Sequence, residues 1–408
     1  MSSYSGPKIT TNGLLVSYDA ANNKSFRGQA TTNIISNGEF ASGLNNWNPY
    51  ALPLASLSVI TSSDVPQYLN EDKTLLNCLC LTTAHGGGNY GGAYQFLPTQ
   101  TVGVTYTISY YARCLVDTMG LKFSFQGGTG DENNLSHSRT ITTEWKKYSH
   151  TATLNISKGI VFIANQNRSG GTFQITDIQL EASPYASSFV NGTRGTTLAT
   201  GGGLADLSGN DYNAELLNGI GESSDNLGGL IFDGSNDYIS TQNYDLDFGT
   251  QSFSLCALVN SNNISYSQKI INKGQSASFP SRSVGYSLRF ISSVARFSVW
   301  DGTNLVDVSS STLQSNTWYH IVGVCNRTTG TCDLYINGLL INSANIQSLG
   351  SISIPEAELT IGNLERGSYG TDGEFFNGKI SNVQIYDKIL TSQEVQQNFN
   401  SIRGRFGI

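Results

Sequence analysis

The chain has 408 residues, of which only 13 % are charged, and its formal net charge at pH 7 is −7. This length suffices for about two or three domains with separate cores. The acidic balance, with no basic cluster longer than Lys146-Lys147, argues against nucleic acid as a partner. No apolar run approaches about 18 residues, so membrane insertion is not expected. The opening residues, MSSYSGPKITTNG, lack the basic and apolar regions of a signal peptide, so Sec export is not expected either.

The first predicted element is a strand with no obvious partner. Leu14, Val16 and Tyr18 alternate with Leu15 and Ser17, the period of a half-buried strand. The turn-forming run from Asp19 to Asn23 ends the pattern. Since a lone strand cannot bury its apolar face, this segment must join a sheet formed elsewhere in the chain.

Further along, strand-like runs recur at intervals of roughly ten residues, separated by Gly, Asn, Asp or Ser clusters. A first series lies at 104–114, 121–127, 146–156, 159–167 and 171–181. A Gly- and Thr-rich stretch at 190–203 precedes a second series, at 228–241, 251–260, 286–292, 295–302, 318–326, 332–342, 357–363 and 376–391. The pattern predicts an all-β protein with two antiparallel β-sandwich (jelly-roll) domains.

One helix is predicted, at 391–404. Thr391 and Glu394 form a capping box, and Gly404 can end the helix. Val395, Phe399 and Ile402 lie on one face, so this short C-terminal helix must pack on something. We expect it to dock on the C-terminal sandwich close to the first strand, with Arg403 and Arg405 near acidic groups.

The second series resembles the concanavalin A-like lectin/glucanase sandwich, specifically the LamG-like domains of bacteriophage structural proteins. The residues that carry this resemblance are ADLSGNDYNAELLN (205–218), IFDGSNDYI (231–239), WYHIVGVCNRTTGTCDLYINGLLI (318–341), LTIGN (359–363) and FNGKISNVQIYDKILTSQEV (376–395).

In that family a strand like GLLVSYDAAN comes directly before the DLSGN stretch, whereas here roughly 180 residues separate Asn22 from Asp206. The resemblance therefore implies that residues 1–29 contribute a strand to a C-terminal sandwich at 191–408, and that residues 30–190 are inserted between them. Exposed loops tolerate such insertions when the ends of the inserted domain lie close together. The alternative is a free N-terminal arm that docks elsewhere.

The inserted region resembles the jelly roll of family 4/9 carbohydrate-binding modules. NIISNGEFASGLNNW (33–47) resembles the opening of that family, EWKKYSHTATL (144–154) its middle strand and GTFQITDIQLEASPYASSFV (171–190) its closing strand. The resemblance implies a carbohydrate partner and, between the first and last strands, a structural Ca²⁺ that would map onto Glu39 and Asp177.

Carbohydrate binding needs exposed rings on which pyranose C–H faces stack. Trp47, Tyr50, Tyr90 and Tyr94 lie in Gly- and Asn-rich, loop-like sequence and are the candidates. The alternative is that Trp47 caps the core and the tyrosines pack at its rim.

Oxygen ligands for Ca²⁺ also occur in the second sandwich, where Asp233 and Asp237 of FDGSNDY are candidates. Both this pair and Glu39 with Asp177 could equally be carboxylates that cap turns.

No catalytic site is expected. Glucanases of the lectin/glucanase fold carry an E-x-D-x-x-E run, which is missing here, and no G-x-S-x-G motif accompanies the four histidines. Cys325 and Cys332 flank a hairpin tip that would place them opposite each other, as a disulfide or as neighbouring reduced thiols.

Together these features predict a virion structural protein of a tailed phage, assembled in the host cytoplasm: a fibre, spike or capsid-decoration subunit. The expected partners are a cell-surface glycan, other virion proteins and further copies of the chain, since weak glycan contacts gain from multivalency. The alternatives are a glycan-binding module of a bacterial surface or secreted protein, and a purely architectural protein without a ligand.

Overall fold

The computed structural model describes residues 8–22, 24–28, 31–50, 55–62, 76–83, 91–115, 118–126, 132–165, 171–184, 186–187, 189–200, 202–223, 228–275, 284–364 and 373–408. The chain divides into two compact units. Residues 31–194 form one unit, here named the insert. Residues 1–30 and 195–408 form the other, here named the sandwich unit.

Nearly all regular structure is β-strand. Ahead of the insert lie β1 (Leu14–Asp19) and β2 (Phe26–Gly28). The insert contains β3 (Thr31–Thr32), β4 (Asn48–Tyr50), β5 (Ala55–Ser62), β6 (Leu76–Thr83), β7 (Gly92–Phe96), β8 (Thr105–Cys114), β9 (Met119–Gln126), β10 (His137–Ile141), β11 (Lys146–Thr153), β12 (Ile160–Asn165), β13 (Gly171–Glu181) and β14 (Thr193–Arg194).

The rest of the sandwich unit begins with a 3₁₀ turn at Leu198–Thr200 and ends with helix α1 (Ser392–Phe406). Between them lie β15 (Gly203–Leu204), β16 (Glu215–Leu217), β17 (Gly221–Ser223), β18 (Gly229–Asp233), β19 (Tyr238–Ser240), β20 (Phe253–Ser261), β21 (Gln268–Gln275), β22 (Val284–Ile291), β23 (Val294–Asp301), β24 (Leu305–Ser309), β25 (Trp318–Asn326), β26 (Thr331–Ile336), β27 (Leu339–Asn345), β28 (Leu359–Ile361) and β29 (Asn377–Tyr386).

The insert is built from two five-stranded antiparallel sheets, ordered β10-β9-β12-β7-β4 and β11-β8-β13-β6-β5. Alternate residues of both sheets form its core, for example Ile108, Phe123, Val161 and Ile175, each 0 % exposed. The first and last strands, β3 and β14, pair with each other, so the two ends of the insert are adjacent. This is the arrangement that lets a loop accept an inserted domain.

The sandwich unit has an eight-stranded sheet and a seven-stranded sheet with a common core. The eight-stranded sheet runs β17-β18-β29-β20-β25-β26-β27, and β1 also pairs with β29. On one edge of β29, β18 occupies residues 377–380 and β1 occupies residues 382–386. The N-terminal strand thus completes a sheet formed by residues more than 200 positions later in the chain. Val16 and Tyr18 enter the core through this pairing.

Helix α1 docks on the same sheet, as its apolar stripe predicts. The capping box of Thr391 and Glu394 is present, and Val395 is completely buried. The helix does not end at Gly404 as predicted: it continues through Phe406, because that ring packs on Trp318 with 4.5 Å between centroids, and Gly407 in the left-handed conformation caps it. The Arg405 guanidinium lies 3.1 Å from an Asp19 carboxylate oxygen, which joins the helix to the end of β1.

The cysteine pair lies as the hairpin predicted. Cys325 of β25 and Cys332 of β26 are directly opposite in the antiparallel register, both completely buried and both free thiols. Helix α1 has 15 residues. Within the described ranges, no helix is long and apolar enough to cross a membrane.

Candidate functional site

The outward side of the β10-β9-β12-β7-β4 sheet of the insert carries a group of aromatic rings. Strands β7 and β12 alternate, so Ala93 and Val161 enter the core while Tyr94, Phe96 and Phe162 point outward. Phe162 lies directly opposite Tyr94 in the β12–β7 register. Tyr50, from the edge strand β4, completes the group, here named the aromatic face.

Three ring-to-ring contacts join the four rings in a row. The Phe162 centroid lies 5.1 Å from that of Tyr50 and 5.5 Å from that of Tyr94. Phe96 meets Tyr94 edge to face at 5.6 Å. Phe96 is 66 % exposed and Tyr50 is 45 % exposed, although large aromatic side chains are usually buried in a protein core. The face is therefore a preformed apolar surface open to solvent.

Tyr50 reaches Phe162 across β7 because the residue between them is a glycine. Gly92 is opposite Tyr50 on one side and Ala164 on the other. Any side chain at position 92 would also clash, since a Cβ there would lie 2.3 Å from the Ile163 carbonyl oxygen. The glycine thus leaves room for the ring to lie across the strand.

A polar cluster borders the rings on the neighbouring strand β9. Ser124 is opposite Phe162 in the sheet, and Lys122 is opposite Ala164. The Glu132 carboxylate accepts hydrogen bonds from Lys122 Nζ at 2.6 Å and from Ser124 Oγ at 2.7 Å. Burial opposes ionisation of Glu132, but these hydrogen bonds and the Lys122 charge outweigh it and lower the pKa of the carboxyl. A carboxylate, an ammonium group and a hydroxyl therefore lie beside the rings at neutral pH.

The structure brings together two of the four predicted ring residues. Tyr50 and Tyr94 share the aromatic face, and Tyr90 lies outside the described residues. Trp47 is not on this face: it is 3 % exposed, packs on Phe40 and donates its indole N–H to the Asn37 carbonyl. The prediction of Trp47 as an exposed platform was wrong, because the turn that begins at Asn37 buries the indole.

Sequence reasoning missed Phe96 and Phe162. Both lie in alternating runs, YQF and VFIAN, whose period shows that Tyr94 and Phe96 share a side. The period alone does not show which side faces solvent, and only the pairing of β12 with β7 places Phe162 beside Tyr94.

The predicted calcium ligands act as local caps in this structure. Asp233 accepts the backbone N–H groups of Ser235 and Asn236, while Asp237 accepts the N–H of Asp233 at 2.9 Å. Burial, together with the Asp233 charge, raises the pKa of Asp237 to about 6 despite that hydrogen bond.

The other predicted pair, Glu39 and Asp177, also has protein partners. Glu39 accepts from the Asn191 amide, and Asp177 lies buried at the bulge of β13. Across the described ranges, no three His, Cys, Asp or Glu side chains are grouped so as to hold a metal ion. A calcium site stays a prediction.

Comparison with known families finds a match within the sandwich unit. Residues 233–396 match the Laminin_G_3 family model, described as the concanavalin A-like lectin/glucanases superfamily. This segment is lectin-like. The match covers β19 through the first third of α1 and so includes most strands of both sheets of the sandwich unit. No curated protein matches the chain.

Several solved structures are similar at low identity. The binding domain of Paraclostridial Mosquitocidal Protein 1 is 21 % identical with a TM-score of 0.39, and 48 % of this chain aligns with 49 % of that one. The botulinum neurotoxin serotype D binding domain is 19 % identical with a TM-score of 0.37, over 48 % of this chain and 47 % of that one. A Ruminococcus gnavus IT-sialidase CBM40 bound to α2,3-sialyllactose is 16 % identical with a TM-score of 0.32, over 36 % and 81 % respectively. The chain thus spans about half the length of the toxin binding domains it matches.

Proposed function

We propose that the protein binds a glycan and that the aromatic face of the insert is its binding site. The single observation that carries this is the exposed group of Tyr50, Tyr94, Phe96 and Phe162 beside the Lys122–Glu132 pair. Monomeric proteins rarely leave contiguous rings in solvent unless the surface has a partner.

The chemistry of the face suits a pyranose chain. The C–H side of a sugar ring stacks on the flat face of Phe96 or Tyr50. The sugar hydroxyls then accept a hydrogen bond from the Lys122 ammonium group and donate one to the Glu132 carboxylate. Because this ion pair is partly exposed, both groups can form these hydrogen bonds at a small cost in free energy. The lectin-like sequence of the sandwich unit supports a role in glycan recognition.

We further propose that binding is not followed by cleavage. Glycoside hydrolysis uses two carboxyl groups on either side of the scissile bond, about 5 to 10 Å apart. Among the described residues that form this face and its polar border, Glu132 is the one carboxylate, and its lowered pKa makes it a poor proton donor.

A glycan array probed with the full chain, followed by calorimetric titration of each hit, tests the proposal. We expect Phe96→Ala and Tyr50→Ala each to weaken binding roughly tenfold, because each removes one stacking partner. Tyr266→Ala is the matched control, since Tyr266 is 71 % exposed but belongs to the sandwich unit. Equal affinity of Phe96→Ala and the unchanged protein would refute the site, and an array without hits would favour an architectural role.

The virion context stays a prediction that rests on the resemblance to phage LamG-like sequences. We infer from it a fibre, spike or capsid-decoration subunit whose repeated copies would raise the avidity of weak glycan contacts. Electron microscopy of phage particles labelled with antibody to this chain tests it. Label on the particles supports the virion role, and label confined to bacterial surfaces supports the module of a surface or secreted protein.

A further inference from the structure

Two cysteines lie side by side in the eight-stranded sheet of the sandwich unit and take no part in the proposed glycan binding. Cys325 of β25 and Cys332 of β26 are directly opposite in the antiparallel register. Opposite residues of such a pair have Cα atoms about 4.5 or 5.5 Å apart. A disulfide bond spans about 4.4–6.8 Å between Cα atoms, so the backbone of this hairpin already has the spacing that a disulfide needs.

The two side chains also point to the same side of the sheet. Both belong to the core between the two sheets of the sandwich unit. The Cys332 thiol donates a hydrogen bond to the Cys325 sulfur. The sulfur atoms are therefore neighbours, as the two backbones are, and a bond between them requires no shift of either strand.

A guanidinium group lies beside the pair. Arg327 begins the turn after β25 and donates to the carbonyl groups of Leu349 at 2.9 Å and Gly249 at 3.2 Å, which fixes its position. The hydrogen bond from Cys332 and the Arg327 charge lower the pKa of the Cys325 thiol, although burial opposes them. Because the thiolate is the reactive form of cysteine, Cys325 is the member of the pair that reacts first.

The pair lies close to an edge of its sheet. Strand β26 is followed by β27, the last strand in the order, and Ala344 of β27, opposite Cys332, is partly exposed. The turn between the cysteines is exposed at Thr328 and Thr329. Both cysteines are 0 % exposed, but edge strands and hairpin ends open at a small cost in free energy. Such local opening admits a small oxidant while the sandwich unit stays folded.

We propose that Cys325 and Cys332 are a redox pair, which forms a cross-strand disulfide in oxidising surroundings and returns to two thiols on reduction. Both belong to the sandwich unit, so the pair is independent of the aromatic face of the insert. In the registers of the described strands, no other two cysteines are opposite each other. The register thus selects this pair among the cysteines of the chain.

The reaction balances with hydrogen peroxide as the oxidant. The Cys325 thiolate attacks one peroxide oxygen, the O–O bond breaks, and Cys325 becomes a sulfenic acid as hydroxide leaves. That hydroxide takes up the proton that Cys325 released on ionisation. The Cys332 sulfur then attacks the Cys325 sulfur, the S–O bond breaks, and the second hydroxide leaves as water with the Cys332 proton. The two thiols lose two electrons and two protons, and the peroxide becomes two water molecules.

The disulfide fastens the hairpin of β25 and β26. The turn of this hairpin carries Arg327, which holds the loops at Gly249 and Leu349. The bond closes a ring of eight residues, 325–332, and so restricts the unfolded chain. We expect the thermal transition of the sandwich unit to rise by about 5 °C on oxidation.

Peroxide treatment of the full folded chain, followed by thiol alkylation, proteolysis and mass spectrometry, tests the proposal. We expect a cross-link between Cys325 and Cys332 that dithiothreitol converts to two alkylated cysteines. The pair should lose its thiols about tenfold faster than Cys256, which is also buried but has no cysteine opposite it. Scanning calorimetry should show the higher transition for the oxidised protein and no such gain for Cys332→Ser.

Variants of Arg327 test the activation of Cys325. Arg327→Gln should slow cross-linking about tenfold at pH 7 and move the pH dependence of the rate to higher pH, because the thiolate loses its neighbouring charge. Arg327→Lys keeps the charge and should restore both. Cys80→Ser is the matched control: it removes a partly exposed cysteine of the insert and should leave the cross-link and its rate unchanged.

Two alkylated thiols at these positions after peroxide treatment, and again after refolding of the chain with oxidised glutathione, would overturn the proposal. So would sulfinic acid at Cys325 without a cross-link, or a cross-link that leaves the thermal transition unchanged. If Arg327→Gln does not fold, Cys332→Ser decides the order of reaction. Its Cys325 should be trapped by dimedone as the sulfenic acid, and no trapping would show that Cys325 does not react first.

Discussion

The two units differ in which parts of the chain supply their strands. All strands of the insert come from one continuous segment, residues 31–194, whose ends pair with each other as β3 and β14. The sandwich unit takes a strand from the start of the chain and a helix from its end, and joins them through Asp19 and Arg405. A continuous unit can form without the rest of the chain, whereas the sandwich unit needs both termini before its larger sheet is complete.

The units also differ in how each buries a histidine. In the insert, His137 donates its Nδ1 proton to the Leu135 carbonyl at 2.9 Å and lies 3.2 Å from the Tyr110 hydroxyl. In the sandwich unit, neither nitrogen of His320 has a partner within the described residues, and the ring stacks on Phe399 of α1. His137 thus has hydrogen-bond partners for both ring nitrogens. His320 is buried beneath α1 without a partner among the described residues.

Deletion of residues 8–28 should have the largest effect. It removes β1, leaves residues 382–386 of β29 paired on one side only, with β20, and takes Val16 and Tyr18 from the core. We expect the cooperative thermal transition of the sandwich unit to disappear, because the loss approaches the ~5–15 kcal/mol total stability of a typical domain. Scanning calorimetry measures this.

The reciprocal deletion sharpens the comparison. Removal of residues 31–194, with a short Gly/Ser linker in their place, should leave the sandwich unit folded, since all its described strands pair among themselves. Equal melting curves for the two deletion variants would show that the N-terminal strand is not part of the sandwich unit in solution.

Phe399→Ala tests how much the packing of α1, at the C-terminal end of the chain, stabilises the sandwich unit. Phe399 is 6 % exposed, and its ring lies 5.9 Å from that of His320. We expect a loss of about 3–5 kcal/mol in the unfolding free energy of the sandwich unit, as for other buried phenylalanines. Gln393→Ala, on the exposed side of α1, should change it by less than about 0.5 kcal/mol. A similarly small change for Phe399→Ala would mean that α1 adds nothing to the sheet.

The parts of this fold that local patterns specify could be predicted from the sequence. Alternation revealed β1, and the capping box with its apolar stripe revealed α1. The end of α1 could not be predicted, because Gly404 is a good local terminator. The helix continues since tertiary contact of Phe406 with Trp318 stabilises one further turn.

The candidate site was only partly predictable for a related reason. Tyr50 and Tyr94 stood out by residue type, whereas Phe162 belongs to the aromatic face only through strand pairing. Trp47 looked exposed because Gly- and Asn-rich sequence usually forms surface loops. The carboxylates of Asp233 and Asp237 fitted calcium and turns equally well until their backbone partners were known.

Both histidines should make their units sensitive to mild acid. Burial lowers the pKa of His320 to about 4. Burial also lowers that of His137 to about 4, opposed by the Leu135 hydrogen bond. Because the unfolded chain binds a proton near pH 6.5 and the folded unit does not, stability is complete above about pH 6.5 and falls as the pH decreases toward 4. Each histidine accounts for roughly 3 kcal/mol over this range.

Urea unfolding at a series of pH values gives the free energy of unfolding at each pH. The contribution of a histidine is the difference in this free energy between the unchanged protein and a variant that lacks the histidine. The difference is needed because Asp237, whose pKa is raised to about 6, has the opposite sign and stabilises the folded sandwich unit as the pH falls from 6 toward 3.8. A difference that does not change between pH 6.5 and 4 would show that the histidine is protonated equally in both states.

The smallest effect is also the sharpest test of the comparison, because one substitution should have opposite consequences in the two units. At pH 7, His137→Leu leaves the Tyr110 hydroxyl and the Leu135 carbonyl without their partner, which should cost the insert about 1–3 kcal/mol. His320→Leu removes two buried nitrogens that have no partner in the described part of the chain and keeps an apolar group beneath Phe399. Its effect on the sandwich unit should lie between zero and a gain of about 1 kcal/mol. A clear loss for His320→Leu would mean that a water molecule or another group binds this imidazole, and the two histidines would then be held in the same way.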